Sequence, residues 1–192
     1  MIGIEIYKGK NVELTEVDAE KEAALFAQWT RRPAVYHRMM SGKYHAVNEN
    51  EMKKKLTDDL KAAEEKGSSY YFDVRLRSDQ KIIGFAQFPL IYPTHQFGRF
   101  FIDFENEDDL VTYGDETLGI LLHYGFMEVN LHRISSPVPG YETKMIALYE
   151  RNGLIREVQR REAVYHDGTY YDEYEYGILK PDYKKRNQEG LQ

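Results

Sequence analysis

The sequence VTYGDETLGILLHYGFMEVNLHRI, residues 111–134, decides how the rest of the chain is read. Gly114 is followed by Leu118, Leu121, Leu122, Gly125, Phe126 and Val129, which recur every three or four residues. That spacing lays them along one stripe of a helix, with polar side chains opposite. Residues 134–138 then read as a short strand. MIALYERNGL, residues 145–154, continues a helix that starts near Lys144 and ends at Asn152-Gly153. REAVYHDGTYYDEYEYGIL, residues 161–179, reads as two strands joined across Asp167-Gly168, a strong hairpin signal. The order is a glycine turn, an amphipathic helix, a strand, a short helix and a hairpin.

Toward the N-terminus, residues 12–17 alternate apolar and polar, as a half-buried strand does. Asp18 is placed to cap a helix whose apolar face holds Ala23, Ala24, Phe26, Ala27 and Trp29. Pro33 opens a second short helix with Val35, Tyr36, Met39 and Met40 on one face, closed by Gly42. Asn48 and Glu51 form a capping arrangement ahead of Met52, Leu56, Leu60 and Ala63, a helix stopped at Gly67. Strand-like runs follow at 70–77, 82–90 and 96–104, the first two linked by the polar Ser78-Asp79-Gln80-Lys81. In the third, Arg99, Phe101 and Asp103 share one face, and Phe100, Ile102 and Phe104 the other. Strands in a row, then helices alternating with strands, predict an α/β (α+β) chain with a mixed sheet flanked by helices.

With 192 residues the chain is expected to form one domain, 1–192. An apolar content of 42% and a charged content of 30% are those of a globular protein. No apolar run approaches the ~20 residues of a membrane span, and MIGIEIYKGK lacks the pattern of a signal peptide. The chain has no cysteine, which excludes disulfide and thiolate chemistry and makes the cytoplasm the default location. A net charge of -6 argues against nonspecific nucleic-acid binding and suits a cationic or amine substrate. His37, His45, His95, His123, His132 and His166 show no metal-ligand spacing. Neither a phosphate loop ending in Gly-Lys nor a Gly-x-Ser-x-Gly elbow is present.

The motifs from residue 111 to 179 resemble the GNAT superfamily of N-acetyltransferases, and within it the branch of ribosomal-protein N-terminal acetyltransferases. The resemblance covers roughly residues 12–183 and implies a mostly antiparallel central sheet and acetyl-CoA as cosubstrate. In that family a Gln/Arg-x-x-Gly-x-Gly/Ala turn holds the cofactor's pyrophosphate on backbone N–H groups at a helix start. The matching segment here is Asp109-Leu110-Val111-Thr112-Tyr113-Gly114, with Asp115 and Glu116 opening the helix. Thr112, Tyr113, Gly114 and Asp115 are therefore the implied cofactor contacts, although Asp109 replaces the basic or amide residue and Thr112 the first small one. Glu142 stands where relatives have an Asn near the pantetheine arm, and Met145 where they have Ala.

Transfer to an amine needs a neutral nucleophile, a donor for the oxyanion and a proton for the leaving thiolate. The resemblance implies Tyr149 as the proton donor. Asp103 and Glu105, at the end of the 96–104 strand, are the candidate bases, sharing a face if the strand continues. Solvated strand-end carboxylates are the competing reading. Tyr165, Tyr170 and Tyr171 are candidates to border the acceptor groove. The early helices, with Trp29, Arg31, Arg32, Tyr36, His37 and Arg38, would shape the acceptor site. The implied partner is an amine, either a small molecule or a protein N-terminus, and the superfamily's habit allows a homodimer. The rival reading is a noncatalytic GNAT-like binding or assembly module, favoured by Asp109, Thr112, Glu142 and Met145.

Overall fold

The structure, a computed structural model, describes residues 7–40 and 44–189. Gly42, expected to close the second helix, lies outside them, as do the side chains of His37 and Arg38. The elements are β1 (Val12–Glu16), α1 (Ala19–Trp29), α2 (Pro33–Met39), α3 (Glu49–Lys66), β2 (Tyr70–Leu76), β3 (Ile82–Tyr92) and β4 (Phe97–Phe104). They are followed by α4 (Glu107–His123), β5 (Arg133–Pro139), α5 (Thr143–Arg151), β6 (Ile155–His166), β7 (Thr169–Leu179) and α6 (Lys180–Glu189).

Local chemistry sets most of these boundaries. The Asp18 carboxylate accepts the N–H groups of Glu20 and Lys21, which satisfies donors the helix leaves open. Asn48 does the same for the Glu51 N–H at 3.0 Å. Gly67, at φ 60°, ends α3 in the left-handed region. Asp167 and Gly168 both take positive φ, 47° and 79°, as a two-residue hairpin turn requires. α4 does not stop cleanly: residues Tyr124–Glu128 form one π-helical turn.

The seven strands form one sheet in the order β1-β2-β3-β4-β5-β7-β6. Every pairing is antiparallel except β4 with β5. One face carries Phe100, Ile102, Phe104 and Ile134, packed with Leu118, Leu121 and Phe126 from α4 and its π turn. The other face is covered over its first half by α1 and α3, where Phe26, Trp29, Met52 and Leu56 enclose Phe85. Each such fully buried side chain stabilises the fold by roughly 1.5–3 kcal/mol. Gly125 lets the helical segment sit close on the sheet: a Cβ there would come within 2.7 Å of Ile134 Cδ1 and 2.8 Å of Phe88 Cζ.

Three polar contacts tie distant parts together. Glu116 of α4 accepts the Asn11 N–H at 2.7 Å and the Asn11 side-chain amide at 2.9 Å, latching the start of β1. Beneath α1, Arg75 donates to Glu22 at 2.5 Å and to Asp73 at 2.9 Å. Burial, with Glu22 beside it, lifts the Asp73 carboxyl to about 8 despite Arg75. α6 was not expected from the sequence. It is docked by Tyr183, whose ring lies 4.8 Å from Phe126 and whose hydroxyl is 3.2 Å from His123 Nδ1.

The glycine turn expected at 109–114 is a correction. α4 begins at Glu107, so Thr112, Tyr113, Gly114 and Asp115 are helical. The physical reason is a stronger start signal upstream. The Asn106 side chain accepts the Asp109 N–H at 2.8 Å and donates to the Asp109 carboxylate at 2.8 Å, a reciprocal cap. Glu107, Asp108 and Asp109 then complement the positive helix end.

Candidate active site

β4 and β5 are paired over three residues only: Phe97 with Arg133, Gly98 with Ile134 and Arg99 with Ser135. Beyond that point β4 stays with β3, through Phe104 opposite Gly84, and β5 stays with β7, through Pro139 opposite Glu173. The sheet therefore forks between its two central strands. Pro137 and Pro139 remove two N–H donors from β5 over the stretch where pairing has stopped.

Tyr149 of α5 stands at the vertex. Its hydroxyl is 3.0 Å from Ser136 Oγ, on the first β5 residue past the last pair. Its ring packs edge-on to Phe100, the first β4 residue past the pair, at 5.4 Å. Tyr149 is only 1% exposed. Tyr176 abuts it at 5.9 Å and donates to Glu150 at 2.7 Å; burial and the Glu150 carboxylate push the Tyr176 phenol up to about 12.

The wide end of the fork opens into a cleft of about 280 Å³ whose lining includes Arg32, Asp103, Asn106, Glu107, Glu142 and Lys144. Pro33 forces Arg32 into an extended backbone, φ -84° and ψ 121°, at the start of α2. From there its guanidinium donates to the Phe104 carbonyl and lies 3.8 Å from Asp103. Asp103 is 6% exposed and accepts the Phe104 N–H at 2.8 Å. Glu142 takes the residue position before α5 without capping it. Lys144 reaches across the cleft mouth to Glu107. Tyr141 and His166 close the far side, stacked at 4.3 Å.

Of the expected site residues, the structure brings Asp103 and Glu142 into the cleft and puts Tyr149 at the fork beneath it. Glu105 parts from Asp103. It pairs with Lys81 at 2.7 Å, at the β2–β3 hairpin, and does not line the cleft. The four residues of the expected turn scatter around α4. Thr112 is exposed, and Tyr113 packs on the core. Gly114 is buried under α5, where a Cβ would lie 3.0 Å from Leu148 Cδ2. Asp115 accepts from Arg151 at 3.0 Å and Asn152 at 2.7 Å. Burial raises its carboxyl, but those donors outweigh burial and hold it below the usual range. Tyr165 and Tyr170 pair with each other on an exposed surface, 61% and 64% open, while Tyr171 meets Tyr141.

Asn106, Tyr141, Lys144 and His166 are cleft residues the sequence reading passed over. Asn106 had a signal, the Asn-x-x-Asp spacing of a cap. Tyr141 and His166 meet because the β6–β7 hairpin folds back over the loop before α5, and Lys144 joins them through Glu107 of α4.

Acetyl-CoA fits this site at one end and not at the other. The fork leaves two strand edges unpaired with each other, room for the amide-bearing pantetheine arm. The diphosphate end is not built: the N–H groups of residues 112–115 lie inside α4, where they are turned to carbonyls four residues back. The helix start itself carries three acids.

A family model for the acetyltransferase (GNAT) domain matches residues 11–155. The probable N-acetyltransferase YjcK of Bacillus subtilis (strain 168) is 26% identical over 182 residues, which are 91% of this chain and 97% of that protein. Two uncharacterized N-acetyltransferases of the same organism match over only 65% and 63% of their own lengths, so the chain spans less than two thirds of them. Among solved structures, the dodecameric spermidine N-acetyltransferase of Vibrio cholerae superposes with a TM-score of 0.76 at 20% identity, covering 93% of this chain and 99% of that one. RimL, a ribosomal L7/L12 α-N-protein acetyltransferase in complex with coenzyme A, superposes at 0.73 and 15% identity, covering 89% and 95%. The forked seven-stranded sheet and a family match over most of its length agree: this chain belongs to the GNAT acetyltransferase family.

Proposed function

We propose that the chain is an N-acetyltransferase, moving an acetyl group from acetyl-CoA to the primary amine of a small molecule or a protein N-terminus. The observation that carries this reading is the β4–β5 fork opening onto the Asp103 carboxylate. A primary amine arrives as an ammonium at neutral pH and must lose a proton before it attacks. Asp103, fixed by the Phe104 N–H and faced by Arg32, is the group in the cleft that attracts the ammonium and takes that proton, directly or through water. Tyr149 keeps a hydroxyl at the vertex, with Ser136 as its partner, and is the proton donor in this reading. Glu142 borders the cleft, and its charge favours a cationic acceptor.

The V. cholerae neighbour is a spermidine acetyltransferase and RimL acts on a protein N-terminus; both are amine acceptors of the class proposed here. No helix among the described residues is long and apolar enough to cross a membrane, and we read the chain as a single cytoplasmic domain. The dodecameric neighbour makes a homo-oligomer the natural assembly to look for.

Thiol release from acetyl-CoA, measured with spermidine, amino sugars and peptides bearing a free N-terminus, tests the proposal. Release that depends on the amine supports it. No release with any amine, from protein shown to be folded, leaves the second reading, a noncatalytic binding module. The acidic start of α4 is the observation that favours that reading.

A further inference from the structure

The fork and the cleft above it carry different chemistry. The fork vertex, beneath the cleft, is walled by strand edges and aromatic rings, with the buried Tyr149 and Ser136 as its polar groups. The cleft at α4 is charged and predominantly negative. Asp103, Glu107 and Glu142 face the lining cations Arg32 and Lys144, with Asp108 and Asp109 on the same helical turn as Glu107. Both cations are engaged: Arg32 with Asp103 and the Phe104 carbonyl, Lys144 with Glu107. Arg151, one helix face further on, is held by Asp115. One donor of the first turn is answered by the chain itself, since the Asn106 side chain takes the Asp109 N–H. A diphosphate brought here would meet carboxylates, a capped helix start and cations with partners.

We infer that the start of α4 is not a diphosphate site in this chain, and that a CoA thioester is held through its acyl and pantetheine portion at the β4–β5 fork alone. The inference rests on the proposed transferase function for its choice of donor. It departs from the family's manner of binding, in which the nucleotide end is gripped by the helix start. A grip on phosphate makes affinity salt-dependent and makes the nucleotide half a strong anchor. A pantetheine grip does neither.

The experiment compares acetyl-CoA with S-acetylpantetheine, which carries the same thioester and arm without the nucleotide. With one amine held saturating, the expected KM values agree within about three-fold, and raising salt from 50 to 500 mM leaves the ratio unchanged. A KM for acetyl-CoA lower by thirty-fold or more, with a salt-sensitive ratio, overturns the inference while leaving the transferase function standing. The E107Q/D108N/D109N variant sharpens the comparison. Removing three charges from a helix start is expected to tighten acetyl-CoA by ~3- to 10-fold and leave acetylpantetheine unmoved. Equal tightening of both donors counts against the inference. If neither donor is turned over, calorimetric titration with 3′-phosphoadenosine 5′-diphosphate, the nucleotide half of CoA with its diphosphate, decides separately. No heat upholds the absence of a diphosphate site even as the function falls, and saturable binding overturns it.

Discussion

The fork vertex lies beneath the cleft and the helix start lines its rim, and the family pattern is recognisable at only one of them. At the fork, strand order, a three-residue parallel pairing and a buried Tyr149 against Ser136 reproduce what the fold needs in order to open. At the helix start, Asn106 and three successive acids have drawn α4 back to Glu107, and the segment that resembles a phosphate turn has become helix. The difference teaches that a scaffold and a ligand grip fail independently. The scaffold rests on many apolar contacts, each replaceable. The grip rests on a few backbone donors, which vanish when a helix starts earlier.

The strongest way to break this contrast is at Asp103. Asp103→Asn is expected to lower turnover by about 100-fold with little change in the urea midpoint. An unchanged rate would mean that Asp103 is not where the amine loses its proton. Gly114→Val comes next. If residue 114 is helix packing, the added branch meets Leu148 and costs ~1–3 kcal/mol of stability, read from urea denaturation. Weaker donor binding without lost stability would return Gly114 to the ligand side and restore the glycine turn.

Buried and exposed carboxylates give a third comparison. Asp73 titrates near 8 in the fold against an ordinary 3.8. A folded pKa above the unfolded one means that this group's contribution is fully present below about pH 4 and is lost as pH rises toward 8. Stability should therefore fall across that window by up to about 1.4 kcal/mol per pH unit, and Asp73→Asn should flatten the slope. A wild-type melting temperature independent of pH between 5 and 8 would refute the buried, protonated carboxyl.

Tyr149→Phe removes one hydroxyl from a buried pair and should cost about 1 kcal/mol, with turnover down roughly ten-fold. Loss of stability with full activity would make Tyr149 packing alone. The smallest effect is expected at Asp115→Ala: its pairing with Arg151 is exposed, so ~0.5 kcal/mol or less is at stake, and donor affinity should not move. Weakened donor binding in this variant would place the second helical turn back in the site.

Much of the fold was legible because its signals are local. Asp18, Asn48, Gly67 and Asp167-Gly168 mark boundaries through chemistry that acts within four residues, and the apolar spacing of α3, α4 and α5 names their buried faces. The mostly antiparallel character of the sheet came from the resemblance; the strand order and the single parallel pairing depend on contacts across the chain and were not read from the sequence. At the site, Asp103, Glu142 and Tyr149 were named and fall at or beneath the cleft. Glu105 was not separable from Asp103 by spacing, because Lys81, which draws it away, lies across a hairpin. The start of α4 was misplaced although Asn106 and Asp109 spelled a cap. The glycine at 114 fitted a family pattern, and its closeness to Leu148 is invisible before helices pack. His166 and Tyr141 lie too far apart in sequence for any periodicity to join them.

The Glu116 latch on Asn11 carries a consequence for how the protein is born. Its two halves are 105 residues apart. At a synthesis rate of about 5–20 residues per second, β1 waits roughly 5–20 s on the ribosome before the carboxylate that fastens it exists. Until then the first strand, an edge of the sheet even in the finished fold, lacks the contact that fastens its start.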